Sequence, residues 1–287
     1  MADDRQIAYN VRVHDSLFHH YEDLHDEIFN PIEQARLHRT LERATRWVTT
    51  GSEPLAALDY GCGTGNVTRH LVELGLRVTA ADVAGNFLKL VEERYGHTGR
   101  VTALKVNGQD LSDIDDGSFD LVATYSVLHH VPDYLGILGE MARVTRPGGV
   151  LYIDHEHNDL YWERPEAYKQ FLRLAQPRPS PEAQKPKRLA RYLNPANYLR
   201  ACRLLCRSLH RRLRRGLHLP YLREGDVHVR HDDHVEWDRI EDVLAGHDFE
   251  VLLREDFLLY IAGYREDVYQ AHRDTCSDMR VLVARKR

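Results

Sequence analysis

Cysteine is scarce in this chain: 287 residues hold four, Cys62, Cys202, Cys206 and Cys276, and no two form a CxxC pair. That argues against a disulfide scaffold and against a cysteine zinc site, and free thiols are expected. Long apolar runs are missing as well, none approaching the roughly 20 residues that span a bilayer. The opening Met1-Ala2-Asp3-Asp4-Arg5 lacks the basic and then apolar pattern of a secretory signal, so the cytoplasm is the expected location. A formal net charge of -5 gives no general attraction to nucleic acid or acidic membranes. What is present is a globular composition, 43% hydrophobic and 29% charged, which excludes a disordered chain. A chain of this length buries about three quarters of its unfolded surface, enough for one α/β domain with a large insertion.

Short, β-branched apolar runs alternate with helical spacing from about residue 55 to 154. Strands are expected at 55–60, 77–81, 101–106, 120–124 and 150–154, with helices such as 66–74 and 86–95 between them. Continuous apolar strands of this kind fit a parallel sheet covered by helices on both faces. Helical spacing at 15–49 is interrupted at Asn30-Pro31, where proline suits a helix start. After the sheet, 161–174 reads as one helix, followed by a break at Pro177, Pro179 and Pro181. The α/β pattern resumes with a helix at 235–245 and strands at 249–254 and 279–284. The expectation is a Rossmann-like, mostly parallel seven-stranded sheet with N-terminal helices and a helical lid. Its divisions are an N-terminal cap at 1–49, an α/β core at 50–159, a basic insertion at 160–234 and the remainder of the core at 235–287.

The strongest local signal is Asp59-Tyr60-Gly61-Cys62-Gly63-Thr64-Gly65-Asn66, at a strand end and a helix start. Glycine lets the backbone turn sharply and approach a ligand, while a helix N-terminus presents free N–H donors. A dinucleotide fold wants a third glycine where Asn66 stands, and the Gly-Lys-Ser/Thr ending of a P-loop is absent. A glycine-rich turn without a ligand is the plain alternative.

This turn resembles the first motif of class I S-adenosylmethionine-dependent methyltransferases, an acid followed by three alternating glycines, met by Asp59, Gly61, Gly63 and Gly65. The resemblance implies that the turn lies along the methionine part of S-adenosylmethionine, with Asp59 near its ammonium end. It extends to Asp82, where an acid after the second strand would accept from both ribose hydroxyls, in charge-assisted bonds worth about 1.5–3 kcal/mol each. Asn107-Gly108-Gln109-Asp110 resembles the segment around adenine, although Asn107 stands where an acid is usual; Asp110 is the rival assignment. The runs Ser118-Phe119-Asp120 and Val127-Leu128-His129-His130-Val131, closed by Arg146-Pro147-Gly148-Gly149, resemble the type 11 subgroup that includes ubiquinone and menaquinone biosynthesis methyltransferases. In that family Tyr125 and Ser126 would border the methionine end and the acceptor pocket. Tyr21, in the N-terminal helices, is the expected cover over the cofactor. The product implied is S-adenosylhomocysteine.

Methyl transfer from a sulfonium is an in-line displacement, so the protein chiefly aligns the acceptor and excludes water. An oxygen or carbon acceptor of high pKa needs a base, and histidine is the natural candidate near neutral pH. Among 18 histidines, His155 and His157 follow the fifth strand at the carboxyl edge of the sheet, where ligands of open α/β folds gather. They are the first candidates and His129 is the second. Asp226-Val227-His228-Val229-Arg230-His231-Asp232-Asp233-His234 combines imidazoles and carboxylates, but its spacing fits no zinc motif, so a polar loop and no metal are expected.

Between Lys185 and Arg215 stand eleven Lys or Arg and no acid. Arg200, Arg203, Arg207, Arg211 and Arg214 fall on one helical stripe, with Cys202, Leu205, Leu209 and Leu213 opposite. The plain reading is a cap with solvated arginines; the sharper one is peripheral contact with an anionic inner membrane surface, or an anionic, lipid-linked acceptor. No nucleic-acid partner is expected, because the stripe lacks interleaved aromatics. The functional expectation is methyl transfer to oxygen or carbon of a small organic or lipid-like acceptor. A non-catalytic S-adenosylmethionine-binding or assembly protein of the same fold is the alternative, and a dinucleotide oxidoreductase is a third.

Overall fold

Asn30-Pro31 starts a helix by the chemistry expected of it. The Asn30 side chain accepts from the Ile32 and Glu33 N–H groups, and Pro31 occupies a first-turn position that needs no N–H. The computed structural model describes residues 2–17, 21–51, 53–176 and 225–287. Its N-terminal part holds α1 (Ala2–Leu17), two single-turn helices α2 (Tyr21–Leu24) and α3 (Asp26–Phe29), and α4 (Pro31–Arg46). On α4, Leu37, Leu41 and Ala44 recur at helical spacing and are fully buried against the sheet.

The alternation read from the sequence then follows. It runs β1 (Ala56–Tyr60), α5 (Asn66–Glu73), β2 (Arg77–Asp82), α6 (Gly85–Tyr95), β3 (Val101–Lys105), β4 (Phe119–Tyr125), α7 (Tyr134–Val144) and β5 (Thr145–His157). After it come α8 (Asp159–Glu163), α9 (Glu166–Ala175), the short β6 (Val229–Arg230) and β7 (Asp233–His234), α10 (Trp237–Gly246), β8 (Phe249–Phe257), α11 (Glu266–His272) and β9 (Met279–Lys286). Seven strands form one sheet in the order β3-β2-β1-β4-β5-β9-β8. The first five pair in parallel, and β9 runs antiparallel to both β5 and β8.

Successive residues of the central strands enter opposite cores, as a period of two requires. Leu58, Val122, Leu151 and Ile153 pack with Ile137 and Met141 of α7 and Ile240 of α10. Ala57, Leu121, Ala123 and Tyr152 pack on the other face with Leu37 and Leu41 of α4 and Leu71 of α5. Each such aliphatic side chain contributes about 1.5–3 kcal/mol when fully buried. Every residue of β4 is buried, which is why this strand reads as a continuous apolar run.

The structure departs from the sequence reading in three places. The helix expected at 161–174 is two helices, because Arg164 takes a left-handed φ of 50° before Pro165, whose ring cannot continue the preceding turn. The segment 226–234, read as a polar loop, carries the β6–β7 ribbon. Strand β5 is longer than 150–154, running from Thr145 to His157, so His155 and His157 lie on the strand itself. Among the described residues Cys62 and Cys276 are buried free thiols, and no helix is long and apolar enough to cross a membrane. The basic stretch 185–215 lies outside the described residues.

Candidate active site

The order of the sheet reverses between β1 and β4, and in open α/β sheets the crevice beyond the carboxyl ends of such strands takes ligands. Here β1 ends in the glycine turn. Gly61 and Cys62 N–H both donate to Ala81 O, at 2.8 and 3.0 Å, which folds the turn over the end of β2. Gly61, Gly63 and Gly65 all have positive φ, at 72°, 49° and 90°. A Cβ on Gly61 would meet the Val127 side chain at 2.4 Å and one on Gly65 the Tyr95 ring at 2.7 Å, whereas at Gly63 nothing lies within 4 Å. Gly63 thus leaves open space where a side chain would stand.

Asp82 closes this cleft from β2. Its Oδ2 accepts from Gly63 N–H at 2.9 Å and its Oδ1 from Ala84 N–H at 2.8 Å. Burial pushes its carboxyl up to about 6, against the pull of those N–H donors. Val83, Phe87 and Val106 supply apolar walls, and Gly108, with a φ of 77°, supplies bare backbone. The cleft holds a cavity of about 90 Å³ between these walls and opens to solvent at its mouth. A buried acid for a diol, an apolar slot for a flat base and a glycine cradle for a charged tail together fit S-adenosylmethionine.

The other expected cofactor residues are placed less directly. Asp59 lies beneath the turn: its carboxylate accepts from Thr68 N–H at 2.8 Å and Thr68 Oγ1 at 2.6 Å, and burial pushes it up to about 7. Gly65 caps α5 rather than lining the cleft. Asn107 Oδ1 already accepts from the Gln109 and Asp110 N–H groups, an Asx turn that uses the oxygen expected to meet adenine. Gln109 is exposed and donates to Asp4 of α1 at 2.6 Å; neither it, Asn107 nor Asp110 lines the cleft. Tyr125 is buried, with its hydroxyl donating to Glu33 at 2.9 Å, and the next residue, Ser126, faces the cleft in its place. Tyr21 does line the cleft, its ring 5.4 Å from that of Phe87.

Beyond the cleft lies a second cavity, of about 280 Å³. His14, Tyr21, Ser126 and His130 line both spaces, so the two share a boundary. All three expected catalytic histidines face the second cavity. His129 Nδ1 lies 2.8 Å from Glu156 Oε2, and the other oxygen of Glu156 accepts from the Val127 and Leu128 N–H groups. Burial works to raise the Glu156 carboxyl, but His129 and those donors hold it below the usual range. His155 is 5% exposed, has a left-handed φ of 64°, stacks on Tyr125 at 4.7 Å, and neither ring nitrogen has a partner. Burial pushes it well below the usual imidazole range, helped by Arg36. His157 stacks flat on Tyr161 at 3.5 Å, and burial lowers it to about 4. His155 and His157 are therefore neutral at physiological pH.

Sequence reasoning missed several parts of this wall. Ile7 and Asn10 line the cleft from α1 beside His14, which was expected in the helices covering the cofactor; the three- and four-residue spacing makes one helical face. Glu156 was hidden between the two histidines it separates. His129, His130 and Asp226 have donor atoms within 4.8 Å of one another and could hold a metal ion, as could His38, His70 and Glu73 across α4 and α5.

A family described as a methyltransferase domain, type 11, matches residues 58–153, the stretch from β1 to β5 that carries the glycine turn and Asp82. Residues 58–153 are a methyltransferase domain. The chain is similar to the ubiquinone biosynthesis O-methyltransferase of Xanthomonas axonopodis pv. citri, 33% identical over 123 residues that cover 42% of this chain and 52% of that protein. The protein of that name from Methylococcus capsulatus is 31% identical over 97 residues, 33% of this chain and 41% of its own. The chain spans about half the length of the curated relatives it matches. Two solved structures share the fold of the methyltransferase domain and the elements around it. An S-adenosylmethionine-dependent methyltransferase from Methanosarcina mazei has a TM-score of 0.50 at 18% identity over 86% of this chain and 96% of that one. The YcgJ protein of Bacillus subtilis has a TM-score of 0.50 at 13% identity over 87% and 99%.

Proposed function

We propose that the chain is an S-adenosylmethionine-dependent methyltransferase that methylates oxygen, or less readily carbon, of a small uncharged acceptor. The observation that carries this reading is the shared wall of His14, Tyr21, Ser126 and His130 between the glycine–Asp82 cleft and the histidine-lined cavity. When bound, S-adenosylmethionine supplies a methyl group on a positively charged sulfur, open to in-line displacement. Asp82 holds the ribose hydroxyls, Gly63 and Gly108 admit the ligand to bare backbone, and Tyr21 covers it. The unpartnered nitrogens of His155 take a hydrogen bond from the acceptor and orient it. An acceptor proton becomes acidic as its oxygen bonds carbon, so an imidazole of low pKa suffices to receive it.

Oxygen is favoured by the names of the relatives similar to part of this chain. An uncharged acceptor is favoured over the anionic one expected from sequence, because no Lys or Arg is among the described residues lining the second cavity. In this reading residues 1–49 cap the core formed by 50–159 and 235–287, and 160–234 is a lid. The basic stretch 185–215 is assigned peripheral contact with an anionic membrane.

Calorimetric titration with S-adenosylmethionine and S-adenosylhomocysteine tests the proposal, with NADH as the comparison. Micromolar binding of the first two is expected, weakened at least tenfold, about 1.4 kcal/mol, by Asp82→Ala. A folded sample that binds neither, or that binds NADH instead, overturns it.

A further inference from the structure

We propose that the second cavity is a divalent metal site of zinc type, with His129, His130 and Asp226 as protein ligands and an open position for an oxygen of the acceptor.

The three donor residues come from two distant stretches, and backbone hydrogen bonds bring them together. His129 O accepts from the Val227 and His228 N–H groups at 2.9 and 3.2 Å, which sets Asp226 against the adjacent His130. Asp226 Oδ1 then lies 3.1 Å from His130 Nδ1. Donor atoms of a tetrahedral zinc site, with bonds of about 2.0–2.1 Å, stand about 3.3 Å apart, so this edge already has the required length. The His129 donor lies within 4.8 Å of the other two, which leaves at most about 1.5 Å for its ring to close.

Three further observations point to a cation. Glu156 accepts from His129 Nδ1, which makes Nε2 the lone-pair nitrogen, and a carboxylate behind an imidazole is the usual support of a metal-bound histidine. The cavity is lined by three carboxylates, Glu27, Glu156 and Asp226, and by no Lys or Arg among the described residues. His155, more than nine-tenths buried and without a partner at either nitrogen, faces the same space as a reserve donor. Two imidazoles and one carboxylate form a borderline N/N/O set that suits zinc better than magnesium or calcium.

Three protein ligands with a further position open is the pattern of a catalytic rather than a structural ion. Its role here rests on the methyltransferase reading. The ion polarises the acceptor O–H, whose proton passes to a neutral imidazole of the cavity. The new O–CH3 bond forms as the S–CH3 bond breaks, with the electron pair remaining on sulfur and no change of oxidation state.

The test uses the full chain, stripped with a chelator and carrying His38→Ala, so that the His38, His70 and Glu73 group cannot take the ion. Zinc chloride is titrated calorimetrically and cobalt(II) by its visible absorption, which reports ligand geometry without any turnover. One ion per chain is expected, with affinity weakened at least tenfold by Asp226→Asn and by His129→Gln, and with an altered cobalt spectrum in each. Circular dichroism checks folding, and should one variant be unfolded the other decides. A folded chain that takes no ion, or binding unchanged by the substitutions, overturns the proposal. Titration of the same samples with S-adenosylhomocysteine separates the two readings: an ion bound without it leaves the metal site standing and removes the methyltransferase, and the converse removes only the metal.

Discussion

Burial raises the Asp82 carboxyl to about 6 while the Ala84, Gly63 and Val83 backbone N–H groups work to lower it. The carboxyl is therefore ionised at neutral pH and protonated in mild acid, and only the ionised form accepts from two hydroxyls at once. The sign follows: an acid whose folded value is raised to about 6 is fully charged above pH ~7 and loses its charge as pH falls through ~6. The dissociation constant of S-adenosylhomocysteine is expected to stay level from pH ~7 to ~8 and to rise towards tenfold per unit below pH ~6. Asp82→Asn should flatten the profile. Calorimetry across that range checks this, and equal slopes in both proteins would remove Asp82 from the ribose. At this scale the placing of Gly61 and Gly63 on the cleft was legible because a sharp turn needs glycine, and that of Asp82 because the family resemblance puts an acid at the end of β2. Asn107 was not, because an Asn-Gly pair offers its side chain to its own turn before any ligand, and Tyr125 was not, because its hydroxyl is claimed by Glu33, 92 positions away.

Helix α4 and strand β5 are joined by a buried ion network that no local pattern announces. Arg36 donates to both oxygens of Asp154, at 3.1 and 2.9 Å, pairs with Glu33 one turn earlier, and lies over the Phe257 ring at 3.8 Å. Asp154 in turn accepts from His155 N–H at 2.7 Å, so the left-handed backbone of His155 is fastened to the N-terminal helices. Removing one partner of such a network costs about 3–5 kcal/mol, because it strands a buried charge. The seven strands were legible from their apolar runs, whereas the extension of β5 was masked by Arg146-Pro147-Gly148-Gly149, which reads as a turn. The approach of Asp226 to His130 depends on the backbone hydrogen bonds from Val227 and His228 to His129 O, far apart in the chain, and has no sequence signature. The basic stretch 185–215 is the opposite case, plain in sequence and outside the described residues. Each cation near an anionic surface contributes about 1 kcal/mol, so changing Arg207, Arg211 and Arg214 to Glu should abolish co-sedimentation with phosphatidylserine vesicles at low salt. Equal sedimentation of both proteins would assign the stripe to solvent.

Taken as one body, the molecule places its chemistry where three separate parts of the chain converge. The sheet contributes the glycine turn, Asp82 and the β5 histidines; the segment from Gly225 contributes Asp226 and His228; and α1 contributes Ile7, Asn10 and His14. The ties of helix α1 to the rest of the molecule include Asn10 Nδ2 to His130 O at 2.8 Å and Asp15 Oδ1 to Asn86 N–H at 3.1 Å. None of the described side chains of α1 belongs to the two large cores on the faces of the sheet. The helix therefore contributes to the site more than to the fold, and removing it separates the two. A chain beginning at Tyr21 should keep its circular dichroism apart from the lost helix and keep slow hydrogen exchange in β1 and β4, whose cores are untouched. Its affinity for S-adenosylhomocysteine should fall at least tenfold. Loss of the Ile7 wall alone exposes apolar surface worth about 1.5–3 kcal/mol, more than the 1.4 kcal/mol that tenfold requires. Affinity within twofold of the full chain would mean that the cleft is complete without α1, and that the cover over the cofactor is Tyr21 alone.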